Sequence, residues 1–429
     1  MNLEKHNLHW KDNFFYKYSL SRAIFSELKK NLDNRQVITI SGLRRTGKTV
    51  LMKQLIDFLI GEGKNRENIL YFSFDEEQPK IEEIIKEFEK IANINISKTK
   101  IYIFLDEIQK LDDWQDQIKY YYDNFNIKFF VSGSSSLFIR RQVKESLAGR
   151  SFDFHLSPLN FKEFLIFKNK EQLLKNLKMF KDEIKKEFDL YSKKQFIEVI
   201  DKDEEYTSEY VKSILEKIVF IDIPKVFPID YQDLLIRLLK IIASNPGMII
   251  EYENLSKELG INRITLSNYL FYLEEAFLIK KIYNFSKNML TSEKKSKKFY
   301  LNSTSFFSYL NSGVEESKLI ENLVAIETDS KFFWRTPFKD EVDFILVESG
   351  SDIKQNVEAN ILPIEVKYKN NIADKDMKTI IKFCVKNNLS KALLLSKDIE
   401  ENKIISKDSK KITIKIIPVW KWLLEYKKG

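Results

Sequence analysis

Eight consecutive residues carry the clearest chemistry in this chain. Gly42-Leu43-Arg44-Arg45-Thr46-Gly47-Lys48-Thr49 fits the pattern G-x-x-x-x-G-K-[ST]. Glycines at the first and sixth places let the backbone curl so that successive N–H groups point at phosphate oxygens. A helix expected over 49–60 adds its positive amino-terminal end. In such a loop Lys48 reaches the β- and γ-phosphates, and the Thr49 hydroxyl ligates Mg2+. Downstream, Ile101-Tyr102-Ile103-Phe104-Leu105 is an apolar run ending in Asp106-Glu107. An acidic pair at the carboxyl end of a parallel strand sits where open α/β sheets bind ligands. There Asp106 would hold Mg2+ through water, and Glu107 would polarise an attacking water.

A second constellation lies near the carboxyl terminus: Glu321 in a helical pattern, Asp343 in Glu341-Val342-Asp343-Phe344, and Glu365-Val366-Lys367. Residues two apart in a strand share a face, so Glu365 and Lys367 project together, and Asp343 on a neighbouring hairpin strand would meet Glu365. Paired carboxylates beside a lysine are what Mg2+-assisted phosphodiester hydrolysis needs. The alternative is an ordinary strand-face ion pair. A third feature is basic: Lys287, Lys294, Lys295, Lys297 and Lys298 crowd the stretch 286–298. This is expected to be a loop tip suited to phosphates. Arg263, Thr265 and Asn268, with Asn262, are the groove-facing candidates on the helix before it.

These residues require elements to hold them. Apolar runs at 37–40, 69–74, 101–105, 128–131 and 152–156 alternate with helical patterns. That is the signature of a parallel sheet covered on both faces. From 158 to 225 the pattern is helical and heavily charged, a lid or a solvated connector. A helix over 231–243, a short helix over 253–259, a Gly260 turn, a helix over 264–276 and a hairpin to 301 follow the order of a winged helix. Beyond 314 come a helix (314–328), strands at 332–335, 342–347 and 361–368, a helix (375–387), and strands at 391–395 and 412–419.

Composition narrows the class. With 43% hydrophobic and 31% charged residues, the chain is too apolar for disorder and too charged for a membrane bundle. No run approaches the roughly 18 apolar residues of a span, and the amino-terminal MNLEKHNLHWKDNFFYKY lacks a signal peptide's smooth apolar stretch. The single Cys384 precludes an internal disulfide, and three His disfavour a zinc site. The expectation is a cytoplasmic protein with no membrane partner. A net charge of +8, from 71 basic and 63 acidic residues, permits a polyanion partner without demanding one.

Together G-L-R-R-T-G-K-T, F-L-D-E-I-Q, V-S-G-S-S-S and L-A-G-R…L-S-P-L-N-F-K-E-F-L resemble a family of bacterial and archaeal AAA+-type P-loop ATPases. The intervening strand at 69–74 marks that branch. The resemblance implies ATP and Mg2+ as cofactors and ATP hydrolysis as the activity. It gives Ser134 the place of a polar sensor near the γ-phosphate. It gives Arg150, with Arg140 and Arg141 as neighbours, the place of an arginine that contacts nucleotide in its own subunit or across to another copy, hence a homo-oligomer. The carboxy-terminal residues resemble the PD-(D/E)xK nuclease core, although Val342 stands where that core often has proline. The expected fold is thus α/β. A P-loop NTPase parallel sheet (1–157) and a helical segment (158–225) precede a winged helix (226–300) and a nuclease-like α/β domain (301–429). The expected function is an ATPase whose nucleotide state governs DNA binding or processing. The alternative is an ATP-dependent switch that recognises a protein partner, with the nuclease-like domain inactive.

Overall fold

The structure is a computed structural model that describes residues 2–133, 147–328, 330–347, 361–408 and 410–426. The chain divides into two compact units. The first comprises Met1–Leu159, Asp222–Pro228 and Glu275–Phe277; the second comprises Asn160–Ile221, Ile229–Glu274 and Leu278–Gly429.

The first unit is built on five parallel strands: β1 (Val37–Ser41), β2 (Ile69–Ser73), β3 (Ile101–Asp106), β4 (Ile127–Gly133) and β5 (Ser151–His155). Their order across the sheet is β2-β3-β4-β1-β5. Alternation along each strand sorts side chains to two apolar layers. Ile38, Ile40, Tyr102, Phe104 and Phe130 pack with Leu51, Leu55 and Ile56 of α1 (Lys48–Gly61). Val37, Ile101, Ile103, Leu105 and Phe129 pack with Ile84 and Phe88 of α2 (Ile81–Ala92) and with Trp114 and Ile118 of α3 (Trp114–Asn124). Both faces are covered over β1 to β4, which is why these four read as nearly unbroken apolar runs, whereas the edge strand β5 leaves Phe152 and Asp153 exposed.

In the second unit a helical stretch includes α4 (Glu204–Lys217), which runs into a wider turn over Ile218–Asp222. Then come α5 (Gln232–Ser244), β6 (Met248–Ile249), α6 (Tyr252–Leu259), α7 (Arg263–Glu275), β7 (Ile279–Asn284) and β8 (Lys297–Leu301). The segment expected to be a plain basic loop contains a short helix, Met289–Lys294, and gives way to β8 at Lys297. α8 (Glu316–Glu327), β9 (Phe332–Arg335), β10 (Glu341–Val347), β11 (Ile361–Lys367), α9 (Lys378–Asn387), β12 (Lys391–Ser396), β13 (Glu401–Lys407) and β14 (Lys410–Pro418) complete it.

Among the described residues, the strands of this unit form one nine-stranded sheet, β13-β14-β12-β11-β10-β9-β7-β8-β6. The hairpin β7–β8 joins the carboxy-terminal strands because β7 pairs parallel with β9 at Tyr283↔Phe332 and Asn284↔Phe333. The Asn284 side chain fastens that seam, bonding the backbone O and N of Arg335 at 3.0 and 3.1 Å. No helix among the described residues is long and apolar enough to cross a membrane.

Candidate functional site

The 42–49 loop leaves β1 and enters α1. Gly42 is compulsory there, since a Cβ at this position would lie 2.3 Å from the Leu156 carbonyl oxygen. Gly47 adopts φ +94, a left-handed conformation that glycine reaches without steric cost. Lys48 is 6% exposed, and its Nζ donates to the carbonyls of Gly42 (3.1 Å) and Leu43 (2.9 Å), so the ammonium lies inside the curl of the loop. Burial lowers its pKa, opposed by the negative charges of Glu107 and Asp106. Two residues outside the motif, Arg22 and Asp222, brace the loop. Arg22, itself buried, donates to the Thr46 carbonyl at 2.7 Å and to Ser157 at 2.8 Å. Arg44 makes a two-pronged pair with Asp222, Nε to Oδ2 at 2.6 Å and Nη2 to Oδ1 at 2.7 Å.

Asp106, 2% exposed at the end of β3, faces the loop. Its Oδ2 accepts from the Thr49 hydroxyl at 2.6 Å and the Tyr71 hydroxyl at 2.9 Å, and its Oδ1 accepts from the Ser132 hydroxyl. Glu107 follows with φ +54, a left-handed residue of the kind that persists where the surroundings over-determine it. Gln109 Nε2 donates to Glu107 Oε2 at 2.6 Å. The loop, the hydroxyl, the carboxylate and the adjacent glutamate expected from the sequence are therefore assembled at the carboxyl ends of β1 and β3.

Sequence reasoning missed Ser132, Tyr71, Arg22 and Asp222. Ser134, Arg140 and Arg141 lie outside the described residues. Arg150 precedes β5, and its carbonyl accepts from the Val37 N–H at 2.8 Å, at the amino end of β1. That is the far end from the loop, about 16 Å away for five residues at about 3.3 Å each. Its guanidinium turns to Asp123 at 3.1 Å. Contact with its own subunit's nucleotide does not fit this position.

In the second unit, Glu321, Asp343, Glu365 and Lys367 do come together, with company the sequence did not suggest. A register shift between Val342 and Ile345 sends both into the apolar core with α9, while Asp343 turns the other way. Asp343 Oδ2 accepts the Val366 N–H at 2.8 Å, and Lys367 contacts Glu365 Oε1. Lys298, expected on an exposed basic tip, is instead 2% exposed. It sits on β8 between β6 and β7, paired with Ile249 and Ile282. Its side chain crosses the Phe333 ring (5.4 Å) to reach Glu341 at 2.5 Å, Glu321 at 3.7 Å and Asp343 at 3.9 Å. These carboxylates hold its pKa above the usual lysine value despite burial.

Tyr300, two residues on and on the same face, donates to Glu321 Oε1 at 2.8 Å. Lys318 takes Glu321 Oε2 at 3.0 Å, and Arg335 takes Glu341 Oε2 at 3.1 Å. Burial, then the Glu321 charge, pushes Asp343 up to about 6; burial, then the Asp343 charge, pushes Glu365 up to about 8.

The remaining basic and groove candidates are scattered. Lys294 is exposed; Lys295 and Lys297 are half-buried, with their ammonium groups on nearby carbonyls, Lys297 on that of Glu293 at 2.7 Å. Arg263 pairs with Glu253 at 3.0 Å, the Thr265 N–H donates to Asn262, and Asn268 is exposed.

A strand, a phosphate-type loop and a helix, facing a buried aspartate across a five-stranded parallel sheet, define a P-loop NTPase fold. Residues 34–165 match the AAA domain family, while 198–318 and 315–422 match two domains of unknown function (DUF8612 and DUF4143). The first unit is thus a nucleotide-binding P-loop ATPase module. The whole chain is similar to an uncharacterized protein of Methanocaldococcus jannaschii, 29% identical over 95% of this chain and 92% of that one. It is also similar to an uncharacterized protein of Haemophilus influenzae, 27% identical over 92% and 95%. Among solved structures, the Aeropyrum pernix ORC1 protein in complex with DNA aligns at 13% identity and a TM-score of 0.32, covering 72% of this chain and 97% of that one. So slight a likeness has no bearing on function.

Proposed function

We propose that the chain hydrolyses ATP with Mg2+ and that its nucleotide state governs DNA binding by the carboxy-terminal modules. The observation that carries the ATPase part is the Thr49–Asp106 contact at 2.6 Å with Glu107 next in the chain. A hydroxyl and a carboxylate side by side are hard oxygen donors of the kind Mg2+ takes alongside phosphate oxygens and water. Bound there with ATP, the ion would neutralise charge on the β- and γ-phosphates. Lys48 leaves the Gly42 and Leu43 carbonyls for phosphate oxygens, and the loop N–H groups supply further donors. Ser132 and Tyr71 fix the Asp106 carboxylate, and Glu107 orients the attacking water. Arg150 completes the site of a neighbouring copy.

A route from this site toward the second unit is supported by Arg44. Its partner Asp222 is the residue at which the chain passes from the second unit into the first. A loop that re-forms around phosphate changes the position of Arg44 and therefore its hold on Asp222.

DNA contact would use Asn262, just before α7, and Arg263, Thr265 and Asn268 within it, together with Lys294, Lys295 and Lys297. Fluorescence anisotropy of a labelled duplex, with and without a slowly hydrolysed ATP analogue, tests it. Affinity should depend on nucleotide and should fall across all sequences when Lys294, Lys295 and Lys297 become Gln. Nucleotide-independent or absent binding favours a protein partner. One observation favours that second reading: Ile264 (73% exposed) and Phe271 (46% exposed) stand seven residues apart on one side of α7. Apolar side chains so placed are what a protein partner covers.

A further inference from the structure

We infer that the cation around which the Glu321–Glu341–Asp343 cluster is built is the ammonium group of Lys298, and that this chain's own lysine thereby fills the position a divalent metal would take. A metal-dependent phosphodiesterase needs carboxylate oxygens with free lone pairs converging on one point, close to 2 Å from the ion. Here the oxygens of Glu321 and Glu341 are already committed, and Asp343 and Glu365 each have one oxygen in a bond. Glu321 is divided between Tyr300 and Lys318, Glu341 between Lys298 and Arg335, and Asp343 gives one oxygen to the Val366 N–H. Glu365 gives Oε1 to Lys367. Its Oε2 is buried without a hydrogen-bond partner among the described residues. Glu321, Glu341 and Asp343 thus lie among the cationic side chains Lys298, Lys318 and Arg335, and Glu365 lies beside Lys367. Among the described residues no group of three or more His, Cys, Asp or Glu is placed to hold a metal ion. Of the Mg2+ site expected at Asp343 and Glu365, Asp343 is the member that faces the Lys298 ammonium, and Glu365 is held by Lys367.

Access is not what keeps a metal out. A cleft of about 620 Å3, lined by Glu251, Asn254, Lys318, Arg335 and Glu341 among others, opens beside the cluster. Solvent ions therefore reach its rim, and the barrier is electrostatic, since an entering dication meets an ammonium already seated among the acids. Nor does Lys298 swing clear easily. Its backbone is held between strands on both sides, and its side chain is 3% exposed. Gly247 closes the neighbouring wall; a Cβ there would lie 2.7 Å from Glu321 Oε1 and 2.9 Å from the Tyr300 hydroxyl. The cluster is a charge-compensated joint between β8, α8 and β10 and not an empty catalytic site.

MnCl2 titration of the full chain, followed by loss of the free-ion electron paramagnetic resonance signal, tests this. Nucleotide is left out, and Asp106→Asn is present throughout to silence the first unit. With Lys298 intact, no saturable binding should occur up to about 10 mM Mn2+, well above typical sensor-site affinities. Lys298→Met should gain one site, tighter by at least about tenfold than any residual binding, since the charge of the ion replaces that of the ammonium. Adding Asp343→Asn should remove it. Micromolar binding with Lys298 intact that Asp343→Asn abolishes would overturn the inference, as would a folded Lys298→Met that gains no site. Should Lys298→Met fail to fold, the titration with Lys298 intact, against Asp343→Asn, still decides the question. Neither DNA nor ATP enters the measurement, so its outcome is separate from that of the function proposed above.

Discussion

Asp106 accepts from Thr49, Tyr71, Ser132 and the Glu107 N–H, so truncating it would disturb the loop and the sheet together, whereas the isosteric Asp106→Asn keeps its size. Glu107 is the cleaner probe. Glu107→Gln keeps shape and hydrogen bonding while removing the charge that polarises water. ATP binding by calorimetry should survive, whereas phosphate release should fall by about 10²–10⁴-fold. Lys48→Ala should instead abolish tight ATP binding. Wild-type turnover in Glu107→Gln would remove it from the mechanism. In the second unit, Glu365 rises from its ordinary 4.5 to about 8 because it is buried beside Asp343. Between those values the folded chain holds a proton that the unfolded chain has released. This contribution to stability is therefore full below about 4.5 and lost as pH rises through about 8. Glu365→Gln should flatten that decline and raise the melting temperature at pH 8.5 by a few degrees; an unchanged pH profile would contradict it. The sequence shows why some residues were legible and others not. Gly42–Thr49 is a local motif whose spacing is its function. In Lys294-Lys295-Ser296-Lys297-Lys298 nothing local tells which lysine faces inward, and the β8 pleat decides it for Lys298. Ser132 hides among the serines of V-S-G-S-S-S because β4 runs two residues further than its apolar stretch.

Among the elements, β1 to β4 were legible because each is buried on both faces, and the helices because their apolar faces repeat at helical spacing. β13 was not. Its residues are mostly exposed, Ile404 at 59%, and without burial on one face its alternation carries no apolar signal. The two-residue β6 is too short to announce itself, and the parallel β7–β9 pairing depends on contacts 49 residues apart, Tyr283 to Phe332. Legible elements do not reveal how they are coupled. The Arg44–Asp222 pair ties the phosphate loop to the residue at which the chain re-enters the first unit, and Asp222→Ala should cut that tie. Hydrogen exchange over 218–228 should respond to an ATP analogue in the wild type and lose that response in Asp222→Ala, with ATP affinity changed by less than about tenfold. A response that survives the substitution would place the coupling elsewhere. Gly42→Ala should be far more severe, because the Leu156 carbonyl lies within 2.3 Å of the added carbon and both are backbone.

For the whole molecule, Arg150 at the amino end of β1 makes assembly measurable. If it serves a neighbour's nucleotide, phosphate release per chain should rise with protein concentration, and Arg150→Ala should erase the rise while leaving ATP affinity intact. A rate independent of concentration would leave Arg150 as the partner of Asp123 alone. The nine-stranded sheet has a different consequence, which concerns where this gene can be divided. A cut near residue 301 falls where sequence patterns change, yet it would strip β7 from β9 and leave Phe332-Phe333-Trp334 as a bare apolar edge. Such an edge recruits other chains and aggregates. The same cut would separate Lys298 from the carboxylates it neutralises and leave several acids buried without their counter-charge, a costly state. A division that keeps this sheet whole leaves β6 through β14, Met248 to Pro418, on one chain.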